Sequence, residues 1–109
     1  MLDTGMKPGE ISDEALWDII KRCELTEREE LALKRYCEDK GIIYLCTPFS
    51  REASDRLEAM DVVGFKIGSG ECNNIPLLTH VARKGRPIIL STGMNDLESV
   101  RRSVEAIRK

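Results

Sequence analysis

The heptapeptide Phe65-Lys66-Ile67-Gly68-Ser69-Gly70-Glu71 brings together a cation, a hydroxyl, a carboxylate and two glycines. Lys66 supplies a mobile point charge, Ser69 a hydrogen-bonding hydroxyl, and Glu71 a proton acceptor. Glycines on either side of Ser69 let the backbone turn tightly and come close to a ligand. That combination suits the capture of a small phosphorylated anion at the end of a strand. The same text also fits an ordinary strand-to-helix turn with a surface lysine.

Two further polar clusters follow apolar runs. Thr47-Pro48-Phe49-Ser50 comes after residues 42–46, and Ser91-Thr92-Gly93-Met94-Asn95 comes after residues 87–90. In parallel α/β folds, ligands sit at the carboxyl ends of the strands. Three polar or glycine-rich strand ends opening on one edge therefore point to a shared anion site. Hydroxyls at Thr47, Ser69 and Ser91 would serve it, together with the Lys66 charge. Plainer roles exist for each: Thr47 ends a strand, Ser91 satisfies loop backbone, and Ser50 caps a helix.

The positioning elements are legible as patterns. Leu16, Ile19, Ile20 and Cys23 form an apolar stripe, which predicts a helix over residues 13–23 capped by Ser12 or Asp13. Trp17, beside that stripe, reads as packing. Thr26-x-x-Glu29 is a capping box, opening a helix that runs to about Lys40 and stops at Gly41, with Leu33, Tyr36 and Cys37 inward. Residues 42–47 read as a strand buried on both sides. Ser50 then caps a helix facing inward through Ala53, Leu57 and Met60. A second strand spans 62–67, and Asn73 or Asn74 with Pro76 opens a helix carrying Leu77, Leu78, Val81 and Ala82. Gly85 ends it. The third strand is 87–92, and Asn95-x-x-Glu98 caps a final helix with the stripe Leu97, Val100, Val104 and Ile107. Three strand–helix units after two helices imply parallel strands. Residues 1–10, with Gly5, Pro8 and Gly9, read as a mobile arm, and 11–109 as one domain.

Composition removes several function classes. A net charge of -2 gives no basic surface for nucleic acid, and 5% aromatic residues are too few for a base-stacking platform. No apolar run has the length of a membrane span and the amino terminus has no signal-like stretch, so a cytoplasmic location is expected. Four cysteines without a C-x-x-C pair read as reduced structural thiols. The single histidine, His80, falls mid-helix and reads as boundary packing.

In order and wording, the strand ends resemble the sialic acid synthase family, which includes N-acetylneuraminate synthases and relatives making legionaminic or pseudaminic acid. The matching text is Thr47-Pro-Phe-Ser-Arg51, then Phe65-Lys-Ile-Gly-Ser-Gly-Glu-Cys-Asn-Asn74, then Pro87-Ile-Ile-Leu-Ser-Thr-Gly-Met-Asn95. The resemblance extends over residues 11–109. It implies a (β/α)8 TIM barrel that condenses phosphoenolpyruvate with an N-acetylated amino sugar, such as N-acetylmannosamine, and releases phosphate. It also implies a divalent metal, manganese or magnesium, that polarises the sugar aldehyde. Carried over residue by residue, Thr47, Lys66, Ser69 and Ser91 would bind phosphoenolpyruvate. Glu71 would stand near the reacting carbon, with Lys66 and Glu71 as the catalytic pair.

A complete barrel takes about 250 residues, whereas this chain has 109. The expectation is a partial barrel of about three consecutive parallel βα units preceded by two helices. The family's metal-binding histidines fall on later strands, so no metal site is expected in this chain, and the chain alone is expected to be inactive. Open sheet edges predict self-association or pairing with the missing barrel segments. The competing function is a noncatalytic anion-binding or assembly module derived from the same fold.

Overall fold

The computed structural model describes residues 15–109. The 1–10 arm and the Ser12 or Asp13 cap lie outside the described residues. The chain forms two compact units, Met1–Tyr36 and Cys37–Lys109.

In the first unit, α1 (Leu16–Arg22) starts from Ala15 without a side-chain cap. None of its residues is buried. The predicted stripe is thus exposed at Leu16 and Ile20, Trp17 is 72% exposed, and Cys23 lies beyond the helix in solvent. An apolar stripe is buried only where another apolar surface faces it, and among the described residues none covers α1. The capping box forms as expected: the Thr26 N–H donates to Glu29 Oε2 at 2.8 Å, and the Glu29 N–H to Thr26 Oγ1 at 3.2 Å. It opens α2 (Glu27–Asp39), on which Leu33 and Tyr36 are exposed rather than inward.

The second unit begins in the last turn of α2. Gly41 takes φ +75°, and the Ile42 N–H returns to the Cys37 carbonyl at 3.0 Å. Residues 42–47 do not join the sheet as the predicted first strand. A backbone bond ties them to it, from the Lys66 N–H to the Cys46 carbonyl at 3.4 Å. Nor is this run buried on both sides. Tyr44 and Cys46 pack on the core, while Ile43 and Leu45 are exposed. The alternation is that of a half-covered extended segment.

Ser50 caps α3 (Arg51–Ala59), accepting the Ala53 N–H at 3.0 Å. The chain then enters β1 (Phe65–Ile67) and, after a 3-10 turn at Ser69–Glu71, α4 (Ile75–Ala82). Asn74 caps α4, and Gly85, at φ +72°, lets the chain turn back after it. β2 (Ile88–Leu90) pairs with β1 in parallel, matching Phe65 with Ile88, Lys66 with Ile89, and Ile67 with Leu90. The Phe65 N–H to Pro87 carbonyl and Ser91 N–H to Ile67 carbonyl bonds, 2.9 and 3.0 Å, extend the ladder at both ends. Among the described residues, the sheet therefore has two strands rather than three.

The core gathers Leu57, Val62, Phe65, Ile67, Leu77, Leu78 and Val81 between the sheet and helices α3 and α4. Outside that core, Asp55 joins α3 to α4. It accepts Lys84 Nζ at 2.5 Å and stands 2.6 Å from His80 Nε2, while Lys84 also reaches Glu58 at 2.7 Å. His80 thus serves helix pairing, in keeping with boundary packing.

The final helix α5 (Leu97–Arg108) departs from the sequence reading in two ways. Its cap is Asp96, accepting the Ser99 N–H at 2.7 Å, and not Asn95. Its covered face is Val100, Ser103 and Ile107, with Leu97 88% exposed. Ser103 is fully buried because its hydroxyl meets the Cys72 carbonyl at 2.5 Å, a polar partner that no apolar periodicity reveals. Among the described residues, no helix is long and apolar enough to cross a membrane.

Candidate functional site

Strand geometry aims Lys66 away from the core. Successive side chains on a strand alternate sides, and Phe65 and Ile67 are both fully buried against the helices. Lys66 therefore leaves on the opposite, uncovered face. Its ammonium donates to Ser91 Oγ at 2.6 Å and to the Ile67 carbonyl at 3.2 Å. The parallel register makes this possible, since Ile67 opposite Leu90 leaves Ser91 one position beyond, at the carboxyl end of β2.

Ser69 begins the 3-10 turn immediately after β1. The loop after β2 approaches it closely: a Cβ placed on Gly93 would lie 3.5 Å from Ser69 Cβ and 3.7 Å from its Oγ. On the other side, a Cβ on Gly68 would lie 3.8 Å from Thr47 Cγ2. The structure thus joins Lys66 to Ser91 and sets Thr47 beside Gly68 and Ser69 beside Gly93. Among the described residues, the hydroxyls of Thr47 and Ser69 make no hydrogen bond, which leaves them open to a ligand.

Glu71 ends the 3-10 turn, half-buried. Its Oε2 accepts Asn74 Nδ2 at 2.7 Å, while Asn74 Oδ1 receives the Leu77 N–H at 3.3 Å. One asparagine therefore caps α4 and fixes the carboxylate. The Glu-x-x-Asn spacing signals such a pairing, but Asn74 reads in the sequence only as a cap. Asn95, which the sequence reads only as a helix cap, also bonds the turn after β1. Its Nδ2 donates to the Ser69 carbonyl at 3.1 Å and to the Gly93 carbonyl at 2.7 Å.

A cation and hydroxyls at one strand edge are groups of the kind that can hydrogen-bond phosphate or carboxylate oxygens. A divalent cation fits it poorly. A lysine ammonium repels a cation, and among the described residues no three His, Cys, Asp or Glu side chains converge. The metal implied by the resemblance finds no holder among these residues.

Residues 4–109 match the profile of the NeuB family. The chain belongs to that family. An uncharacterised protein of Methanocaldococcus jannaschii is 41% identical over 91 residues, 84% of this chain and 27% of that protein. The N,N'-diacetyllegionaminic acid synthase of Legionella pneumophila is 36% identical over 92 residues, 84% of this chain and 26% of its own length. Among solved structures, the N-acetylneuraminic acid (sialic acid) synthetase of Leptospira borgpetersenii, in complex with citrate, superposes with a TM-score of 0.80 at 30% identity. That match takes in 84% of this chain and 32% of the synthetase. The NeuB-family chain described here spans about a quarter of the length of these curated relatives.

Proposed function

We propose that this chain carries the phosphoenolpyruvate-holding part of a nonulosonic acid synthase, as the middle of a (β/α)8 barrel. The whole enzyme would condense phosphoenolpyruvate with an N-acetylated amino sugar such as N-acetylmannosamine. The observation that carries the reading is the bond from Lys66 Nζ to Ser91 Oγ at 2.6 Å, across the carboxyl ends of two parallel strands. A cation anchored at that edge, with the hydroxyls of Ser69 and Thr47 nearby, suits a ligand bearing both a phosphate and a carboxylate.

The reaction joins the enol carbon of phosphoenolpyruvate to the sugar aldehyde, adds water to the former enol carbon bearing oxygen, and expels phosphate. Lys66 and the hydroxyls would stabilise charge on the departing phosphate. Glu71, held by Asn74, would take the proton from the attacking water. Sugar contacts and the metal fall to other parts of the enzyme, so the 109-residue chain alone would bind without turnover. The reading carries a cytoplasmic location, where phosphoenolpyruvate is available.

Calorimetric titration of the chain with phosphoenolpyruvate tests this. Binding at millimolar ligand or below is expected, and Lys66→Ala should weaken it by a factor of about 10 to 100, as for loss of a charged hydrogen bond. Wild-type protein that takes up no ligand at millimolar concentration would overturn the reading.

A further inference from the structure

The loop after β2 is held by one side chain that the reaction chemistry does not use. Asn95 is half-buried, and both its amide nitrogen and its amide oxygen are engaged. Its two Nδ2 protons go to the Ser69 carbonyl and the Gly93 carbonyl, 3.1 and 2.7 Å away. Its Oδ1 accepts the Ser99 hydroxyl at 3.2 Å, on the first turn of α5. One residue thus ties the turn after β1, the loop after β2 and the start of α5 together.

Its neighbours point the same way. Met94 adopts the left-handed conformation, at φ +63°, without being a glycine. Such a residue carries strain, and the strain persists only where surrounding contacts impose it. Met94 is 80% exposed, so its own side chain supplies no such contacts. The bonds of Asn95, the next residue, do. Gly93, the preceding residue, has the close approach to Ser69 that the clamp requires.

We infer that Asn95 is a positioning residue for the anion site. It holds Ser69 at a set distance from Ser91, and so presents their hydroxyls to one ligand. This rests on the proposed anion site. The arrangement explains why a side chain well placed to cap α5 leaves that task to Asp96.

The test measures phosphoenolpyruvate binding by calorimetry in wild type, Lys66→Ala, Asn95→Ala and Asn95→Asp, with amide NMR spectra of each without ligand. Asn95→Ala removes the donors without adding charge. Asn95→Asp keeps the acceptor for Ser99 and the shape of the side chain. Both should weaken binding about tenfold, the loss of one or two neutral hydrogen bonds. The amide resonances of residues 68–71 should shift, while those of core residues such as Leu78 and Val81 stay in place. A general loss of stability would not give that localised pattern. Asn95 variants that bind as wild type does, while Lys66→Ala does not, would overturn the positioning role and leave the anion site standing. Wild type without binding would overturn the anion site and the role together.

Discussion

Lys66 and Ser91 stand 25 positions apart in the chain and 2.6 Å apart in space. That distance depends on a residue with no side chain. A Cβ on Gly64 would fall 2.7 Å from the Pro87 carbonyl oxygen, at the point where the two strands begin to pair. The oxygen is backbone, and it already accepts the Phe65 N–H, so it has little room to yield. Gly64→Ala should therefore force the strands apart and destabilise the protein by about 1–3 kcal/mol, the usual range for overpacking. A urea unfolding curve reads this directly, and an unchanged midpoint would sink the claim. Lys66, Ser69 and Ser91 were legible in the sequence because each follows an apolar run, and the parallel register brings such positions to one edge. Asn95 was not. Its amide donates to backbone carbonyls, one of another loop and one of its own, which carry no residue identity.

Elements show the same division between local and non-local causes. The caps at Thr26, Ser50 and Asn74 are written within four residues, and the structure repeats them. The inward face of α5 depends on Ser103 meeting a carbonyl from the loop after the 3-10 turn, and the single-sided burial of 42–47 depends on which neighbours pack against it. Neither has a local signature. The α3–α4 contact adds a titratable link. Hydrogen bonds from Lys84 and then His80 hold the Asp55 carboxyl below its ordinary value of 3.8. A carboxyl lowered in the folded state binds protons more weakly there than in the unfolded chain. Its stabilisation is full above about pH 4 and disappears as pH falls through the lower folded value. The folded fraction of wild type should drop over that window, and Asp55→Asn should remove this part of the acid dependence. Parallel acid titrations followed by circular dichroism decide it; identical acid limbs would rule the link out. Because Asp55 is open to solvent, raised salt should shrink the difference.

At the scale of the whole molecule, the α/β alternation was legible because apolar runs and caps repeat along the chain. The extent of the sheet was not, because it depends on what lies beside it. In the Cys37–Lys109 unit, β1 and β2 use one edge each for one another. Backbone groups on the outer edge of β2 are therefore open to another strand. The face bearing Lys66 is uncovered as well, with Ile43 72% and Ile89 53% exposed. Apolar side chains beside an open edge favour association over isolation in water. The chain should self-associate as its concentration rises, with a second copy covering part of this face. Sedimentation velocity from micromolar to near-millimolar protein measures it, against 12.3 kDa for one chain. Ile43→Lys should shift the mass toward the single chain, since an exposed position tolerates the charge and an apolar contact does not. A wild-type protein that stays at the single-chain mass throughout would mean that the bare face is tolerated in water. If the association occurs and phosphoenolpyruvate reverses it, the face that carries Lys66 is the one that copies bury, because ligand and second copy then compete for the same surface.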